Sequence, residues 1–375
     1  MVIDAFKEFK FLFNKLPFQI IFYPTSRCNA LCDHCYNYER QDNASRDNEL
    51  SLEEINRISL HFDHIKALTI SGGEPFLRKD IKEIVEIFYK NNGLQYVSVH
   101  SNAFLKEIVI QNILGILRNL PNLKVIFCVS IDGIGDLHDR VRGVTSGFDK
   151  MIATVQELEN IKKSFNSRLF LLSSTVFSHS TQANCKETIS FIKKKFKAVK
   201  PAVCFIRGDV RDNKEKEIDQ SFHNDFIEVS ENAMDKSINA FSPMALKETL
   251  EWMTGKLVLN NHLHQSQTIP CQAGRKLIVI YENGDVYPCE LLKKKFGNLR
   301  DVNYDIKKLL FSEEGKLIKR KINPGKTCHC TWENIMSPNL LSDIRSYHKI
   351  IYNWFRLFVF NKERMPCDKK AALYR

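Results

Sequence analysis

The sequence of 375 residues contains no internal repeat and no tract rich in proline, glycine or serine, which excludes a repeat protein and a low-complexity chain. Residues 1–15 lack the apolar core and the small-residue cleavage site of a signal peptide. We therefore expect a cytoplasmic protein that begins with a short amphipathic helix. With 43% hydrophobic and 26% charged residues, the composition is that of a globular chain with one large and one smaller domain.

A nucleic-acid-binding motif is also missing, although the formal net charge is +11. The lysines are spread along predicted helices, for example over residues 192–197. Lysines in this arrangement usually form a solvated helix face. We therefore expect no nucleic acid partner.

Cysteine, in contrast, is frequent, with 11 copies. Without an export signal, this number indicates a reducing compartment and metal binding rather than disulfides. Seven of the cysteines fall into two groups with the close spacing of cluster ligands. The other four are expected to be small buried apolar residues, and they are Cys128, Cys185, Cys204 and Cys367.

The first group, Cys28-x3-Cys32-x2-Cys35, directly follows an apolar run that predicts a strand. Three thiolates on one short loop can hold three irons of a 4Fe-4S cluster and leave the fourth iron open to another ligand. An open iron indicates a reaction rather than electron storage alone. A zinc site, with His34 as a further ligand, is the alternative.

The segment from Ser26 to Tyr36 closely resembles the cluster loop of the radical S-adenosylmethionine (SAM) superfamily. The resemblance implies that the three cysteines hold a 4Fe-4S cluster that passes one electron to bound SAM. SAM would then release methionine and a 5′-deoxyadenosyl radical, which abstracts hydrogen from an unactivated carbon. We also expect a reducing partner of the flavodoxin or ferredoxin type.

Short β-branched runs alternate with longer helical patterns up to about residue 209, which predicts parallel βα units with right-handed crossovers. The predicted strands are residues 20–23, 67–70, 96–100, 124–131, 169–176 and 202–206. The predicted helices are residues 52–62, 81–89, 105–117, 148–162 and 186–196. Six units are too few for a closed eight-stranded barrel, so we expect an α/β fold with an open, partial (βα)6 barrel, the fold of the radical SAM family. Chemistry in such barrels gathers at the carboxyl ends of the strands.

Motifs at these strand ends resemble the SAM-binding motifs of the family. Gly72-Gly73-Glu74 follows the second strand, where the glycines would allow close backbone approach to a ligand and the carboxylate would accept from the methionyl ammonium. The resemblance assigns Ser101 and Asn102 to the SAM ribose, and Ser130 and Arg142 to the SAM carboxylate. His138 and Asp139, which lie nearby, are expected to form local structural hydrogen bonds.

The second group begins at Cys271, from which a strand, an Asn-Gly turn and another strand lead to Cys289. Cys-x12-Gly-x4-Cys resembles the opening of SPASM and Twitch domains, which bind auxiliary 4Fe-4S clusters, and Cys328 and Cys330 supply two further thiols. The scarcity of further cysteines favours the shorter Twitch form. The Cys-x-Cys spacing leaves open whether both cysteines bind, or whether His329 or a substrate atom completes the set. A zinc site is again the alternative.

These motifs divide the chain into five predicted segments. They are an N-terminal helix (1–18), the partial barrel (19–210), a helical connector (211–268), a Twitch/SPASM-like cluster domain (269–335) and a C-terminal helical tail (336–375). The tail is too short and too charged to span a bilayer. It is basic and aromatic, so it would either pack on the protein or lie on a membrane surface.

The predicted function is a radical SAM enzyme of oxidoreductase type. An auxiliary cluster with four cysteine ligands would accept an electron from the substrate radical, which makes the net reaction an oxidation. We expect a small-molecule substrate, because only residues 1–18 precede the barrel and peptide maturases usually carry a leader-binding domain there. A peptide maturase with a separate leader-binding partner is the alternative. The motifs at Gly72-Gly73-Glu74 and Arg142 argue against a plain two-cluster electron carrier.

Overall fold

The computed structural model describes residues 15–233, 238–267, 269–322, 328 and 330–359. Most of the predicted N-terminal helix, and the residues His329 and Cys367, lie outside these ranges. The strands of this part are β1 (Gln19–Phe22), β2 (Ala67–Ile70), β3 (Tyr96–Ser101), β4 (Lys124–Ser130), β5 (Leu169–Phe177), β6 (Val199–Phe205), β7 (Leu277–Ile280), β8 (Asp285–Tyr287) and β9 (Gly297–Asn298).

The strands form one sheet in the order β6-β5-β4-β3-β2-β1-β7-β8-β9. Strands β1 to β6 are parallel to their neighbours, as βα units require. Within the described ranges the sheet runs from β6 to β9 without closing into a barrel. The predicted α/β fold with an open parallel sheet is confirmed.

Helices connect the strands and pack on the sheet through apolar faces. In the helix Ile81–Asn92, Ile81, Ile84, Val85 and Phe88 are buried, the spacing of a helix with one apolar side. The helices are α1 (Tyr38–Asp42), α2 (Leu52–Ser59), α3 (Ile81–Asn92), α4 (Lys106–Asn119), α5 (Asp136–Arg142), α6 (Gly147–Ser164), α7 (Cys185–Lys195), α8 (His223–Ala233), α9 (Pro243–His264), α10 (Ile306–Leu310), α11 (Glu313–Lys321), α12 (Glu333–Ser342) and α13 (Tyr347–Trp354).

The predicted hairpin around Gly284 forms from β7 and β8, and β9 adds a third antiparallel strand. Its first strand also pairs in parallel with β1, from Gln19 opposite Leu277 to Phe22 opposite Ile280. All four residues of β7 are buried, which is the pattern of a strand covered on both faces rather than of an exposed ribbon. The hairpin therefore continues the barrel sheet and covers the edge of β1.

The C-terminal helices form a smaller apolar core beside the barrel. Ile350 of α13 packs there with Leu250, Trp252 and Met253 of α9 and with Leu340 of α12. The opposite side of α13 carries Ile351 and Tyr352, whose exposed fractions are 53% and 51%. None of the helices in the described ranges has the length and apolar composition of a membrane span.

Candidate functional site

The first cysteine group lies on the loop that follows β1, at the carboxyl end of the parallel strands. All three thiols line one cavity of about 170 Å³. The backbone of the loop is held in place by a hydrogen bond from the Leu31 N–H to the Arg142 carbonyl, with an N–O distance of 2.9 Å. The carboxyl ends of the strands are where reactive groups are expected in a barrel of βα units.

The chemical state of these thiols tests whether they fit an iron cluster. Burial, followed by the charges of Glu74 and Cys32, raises the pKa of Cys28 to about 12. Burial and the charge of Cys32 raise the pKa of Cys35 to about 11. Such thiols keep their protons at neutral pH unless a metal replaces them, because coordination deprotonates a thiol outright. Three convergent sulfurs of this kind fit a 4Fe-4S cluster.

The two glycines after β2 are needed because the cysteine loop passes directly over them. A Cβ atom at Gly73 would overlap the carbonyl oxygens of Ser26 and Arg27, and Gly72 has a φ of +119°. The Gly73 N–H donates to the Thr25 carbonyl at 3.0 Å, and the Glu74 N–H donates to the Arg27 carbonyl at 2.8 Å. The two glycines therefore let the backbone after β2 pass close to the cysteine loop, and the predicted approach to SAM stays a prediction.

Glu74 joins the ends of β2 and β3. Its carboxylate accepts hydrogen bonds from the Ser101 hydroxyl at 2.8 Å and from the backbone N–H groups of Asn102 at 2.9 Å and Phe76 at 3.2 Å. Burial raises the pKa of Glu74 to about 7, and these hydrogen bonds oppose the shift. The side chain therefore organises the strand ends on which Ser101 and Asn102 line the cavity.

Arg142, at the end of α5, lines the same cavity but has partners within the protein. Its guanidinium forms an ion pair with Asp132, and Nη1 lies 3.6 Å from the Cys32 sulfur. Asp132 also accepts from the Val176 N–H at 2.7 Å, and His34 Nε2 lies 3.6 Å from its other oxygen. Burial raises the pKa of Cys32, and the positive charge of Arg142, which contacts its sulfur, opposes this rise.

Several of these side chains were not assigned a role by sequence reasoning. Asp132 lies two residues after Ser130. An acidic residue just after a predicted strand could have indicated that it belongs to the site. His100 and Cys204, on β3 and β6, line the cavity, whereas Cys204 was expected to be a buried apolar residue. Its sulfur lies 3.3 Å from the Ser174 hydroxyl. Ser130, as predicted for a strand-end site residue, also lines the cavity.

The second cysteine group comes together where the hairpin meets the C-terminal helices. Cys271, Cys289 and Cys330 are buried, and Cys328 is half-buried. Burial, followed by the charges of Cys271 and Cys328, raises the pKa of Cys289 to about 12. Backbone N–H groups of Ala273 and Trp332 donate to the sulfurs of Cys271 and Cys330, both at 3.4 Å. Sulfurs whose charges act on one another, two of them accepting from backbone N–H groups, are the ligand type of an iron-sulfur cluster.

The comparison with protein-family models decides what these two sites belong to. The radical SAM superfamily model matches residues 22–191, and the model of the SPASM iron-sulfur cluster-binding domain matches residues 271–331. The chain belongs to the radical SAM superfamily. It carries the SPASM domain of that superfamily, and 4Fe-4S clusters and SAM are the cofactors of these domains. Both cysteine sets lie inside the matched ranges, so iron-sulfur clusters are the groups that we expect them to hold.

Curated relatives of this radical SAM protein are distant. A GTP 3′,8-cyclase of Haemophilus influenzae is 26% identical over 39% of this chain and 45% of its own length. An AdoMet-dependent heme synthase of Methanosarcina barkeri is 26% identical over 74% of this chain and 78% of its own length. This chain thus spans less than half of the cyclase.

Two solved structures share the fold. SuiB of Streptococcus suis, solved with S-adenosylmethionine, has a TM-score of 0.54 at 17% identity and covers 84% of this chain and 70% of its own. The structure of anSMEcpe with AdoMet and the Cp18Cys peptide has a TM-score of 0.51 at 17% identity and covers 91% of this chain and 96% of its own. At this identity, the likeness shows the radical SAM fold alone.

His138 contributes to the folded site only as a neutral imidazole. Its Nδ1 accepts from the Asp132 N–H at 3.2 Å, and burial, followed by the charge of Arg142, lowers its pKa to about 4. Asp139 likewise makes a local bond, accepting from the Phe148 N–H at 2.7 Å. An imidazole whose pKa falls on folding stabilises the protein above the unfolded pKa of about 6.5.

We predict that this contribution is lost as the pH falls from about 6.5 towards 4, by up to about 3 kcal/mol in the free energy of unfolding. His138→Asn keeps an acceptor near the Asp132 N–H and takes up no proton. Urea unfolding at several pH values should therefore give a flatter pH dependence for this variant than for the wild-type protein. Parallel curves for the two proteins would show that His138 does not titrate on unfolding.

Proposed function

We propose that this radical SAM enzyme abstracts hydrogen from an unactivated carbon of a small molecule and completes a net oxidation through its SPASM-domain cluster. The observation that carries the proposal is the cavity of about 170 Å³. Cys28, Cys32 and Cys35 line it together with the residues at the ends of β2, β3 and β4. Bound SAM and substrate would therefore lie in one cavity with the first cluster.

In this proposal each group of residues around the cavity has a separate role. Cys28, Cys32 and Cys35 would hold the first cluster, which would supply the electron for reductive cleavage of SAM. Gly72, Gly73 and Glu74 hold the cysteine loop against the strand ends, and from the cavity wall they would bind the methionyl ammonium of SAM. Ser101, Asn102, Ser130 and Arg142 bind SAM from the surrounding wall, and the guanidinium of Arg142 offsets negative charge beside Cys32.

The wall of the cavity beyond the cysteine loop is where a substrate group would lie. His100, Ser174, Cys204 and Arg207 form the wall beyond the cysteine loop. Because burial lowers the pKa of His100 to about 4, its imidazole is neutral at physiological pH and would contact substrate as an uncharged hydrogen-bonding group.

The second cysteine group supports the oxidative part of the proposal. Cys271, Cys289, Cys328 and Cys330 would complete a four-thiolate cluster, which has no open iron and can accept the electron of the substrate radical. A flavodoxin or ferredoxin would reduce the first cluster. Contact with a membrane surface, through the exposed Ile351 and Tyr352 of α13, remains a separate prediction for this protein.

Peptide maturation is the second candidate function. SuiB has been solved with its precursor peptide SuiA, and anSMEcpe has been solved with peptides. A peptide could place a single side chain in a cavity of this size while its backbone stays outside. The substrate would then be a peptide held by a separate leader-binding partner.

An isotope experiment distinguishes the two substrates. The reconstituted, reduced enzyme is incubated with SAM and either the small-molecule or the peptide fraction of cells grown in D₂O. Hydrogen abstraction places deuterium in 5′-deoxyadenosine, which mass spectrometry detects. We expect deuterium with the small-molecule fraction. Deuterium with the peptide fraction alone would establish the second candidate, and the Cys28/Cys32/Cys35 triple alanine variant serves as the control for background exchange.

A further inference from the structure

A buried group of side chains lies between the two cysteine sets. We name it the inter-site network, and its members are Tyr23, Tyr36, Arg207, Glu290 and Glu333. Tyr36 directly follows Cys35 of the first set, and Glu290 directly follows Cys289 of the second. Glu333 lies three residues after Cys330. The network therefore connects backbone segments that carry ligands of both clusters.

Arg207, which follows β6, lies at the centre of the network. Its Nη2 is 3.2 Å from Glu290 Oε2, and its Nη1 is 3.6 Å from Glu333 Oε2. Nη2 also donates to the Tyr36 hydroxyl at 3.5 Å, and the guanidinium carbon lies 4.7 Å from the centre of the Tyr36 ring. One cation thus contacts the first cysteine loop and both acidic segments of the second site.

Each carboxylate has an additional partner that fixes its position. Glu290 Oε1 accepts from the Tyr23 hydroxyl at 2.6 Å, and the hydroxyls of Tyr23 and Tyr36 lie 2.7 Å apart. Glu333 Oε1 accepts from the Phe205 N–H at 2.7 Å. Because Tyr23 directly follows β1, both edges of the network are anchored in the barrel sheet.

Burial of the charged groups of the inter-site network costs desolvation free energy, so the network contributes little net stability. The side chain of Glu290 is 2% exposed and that of Arg207 is 17% exposed, and apolar side chains of the same volume often stabilise a protein as well as a buried ion pair does. Buried ion pairs do specify the relative position of the segments that carry them. A positional role therefore explains the network better than stability does.

We propose that Arg207 is a positioning residue that holds the Cys289-Glu290 segment against the Cys35-Tyr36 segment and balances the charge beside the auxiliary cluster. The proposal rests on the proposed function of the second cysteine set as a cluster site. Reduction adds one negative charge to a cluster, so carboxylates without a compensating cation disfavour the reduced state. Arg207 would therefore keep the auxiliary cluster easier to reduce and suited to accept an electron.

Redox titration of the holoenzyme, followed by electron paramagnetic resonance, tests this role. In Arg207→Met, we expect the potential of the auxiliary cluster to become more negative. Arg207→Lys should shift the potential less, because it keeps the charge. Glu290→Gln in the Arg207→Met background should move the potential back towards the wild-type value. Arg211→Met is the matched control, since Arg211 pairs with Asp42 beside the first loop and should leave the auxiliary potential unchanged.

An unchanged auxiliary potential in Arg207→Met, with full iron content, would overturn the proposal. If Arg207→Met does not keep its iron, the single variant Glu290→Gln tests the proposal instead. A more positive potential of the auxiliary cluster in Glu290→Gln would support the proposed charge balance between Arg207 and Glu290. An unchanged potential would refute it. Failure of the underlying function is recognised separately, since wild-type protein would then bind iron for one cluster only.

Discussion

Replacement of Cys28, Cys32 and Cys35 by alanine is expected to remove about half of the iron of the anaerobically reconstituted protein and to abolish SAM cleavage. The reason is that the three thiols line one cavity, whereas the second cysteine set lies apart from it on the hairpin and the segment before α12. Two clusters of equal iron content then divide the metal evenly. Iron analysis and chromatography of 5′-deoxyadenosine measure the two effects.

Cys185→Ala is the matched control for this variant. Cys185 is a fully buried cysteine of α7, outside both cysteine groups, so its replacement should leave iron and SAM cleavage unchanged. Loss of nearly all iron from the triple variant would mean that the second set holds no cluster by itself. Zinc in a one-to-one ratio in the triple variant would exclude a redox role for the second set.

Cys289→Ala is expected to uncouple SAM cleavage from product formation. The substitution removes a buried ligand from the second set, while the first cysteine loop keeps its hydrogen bonds to the barrel. We expect 5′-deoxyadenosine to form at a rate close to that of the wild-type protein, and product to fall at least about tenfold. Both compounds are counted in the same reaction, after iron analysis has shown that the first cluster is present.

The Cys185→Ala variant again provides the reference ratio of 5′-deoxyadenosine to product. A normal product yield from Cys289→Ala would show that the second site is structural, and net oxidation through it would have to be withdrawn. Equal loss of both compounds would instead indicate that the second cluster acts before SAM is cleaved.

The fold was largely predictable because the strands are short, β-branched and separated by helical patterns. Strand β2 has the predicted bounds of residues 67–70. Strand β6 begins three residues earlier than predicted, at Val199, and includes Pro201. Proline is tolerated there because β6 is an edge strand, and position in the sheet cannot be read from a local pattern. The pairing of β7 with β1 was missed for the same reason.

The site was predictable where one segment carries the whole motif. The seven cysteines stand out by their spacing, and the strand-end residues were assigned from the resemblance to the family. The first three cysteines share their cavity with Glu74, Ser101, Asn102, Ser130 and Arg142. Contacts between distant segments were not predictable. Helix α5 was missed between Gly135 and Gly143, which flank it, so the ion pair of Arg142 with Asp132 could not be foreseen. Arg207 and Glu290, 83 positions apart, meet only through the fold.

The most direct test of the account is the effect of SAM on the electron paramagnetic resonance spectrum of the reduced enzyme. We predict that SAM changes the paramagnetic resonance signal of one cluster, both in the wild-type protein and in Cys289→Ala. The reason is that the cluster of the Cys28, Cys32 and Cys35 loop has an iron open to SAM. The triple alanine variant should show the other signal, unaltered by SAM. A reduced wild-type protein whose spectrum does not change with SAM, and which forms no 5′-deoxyadenosine, would contradict the account.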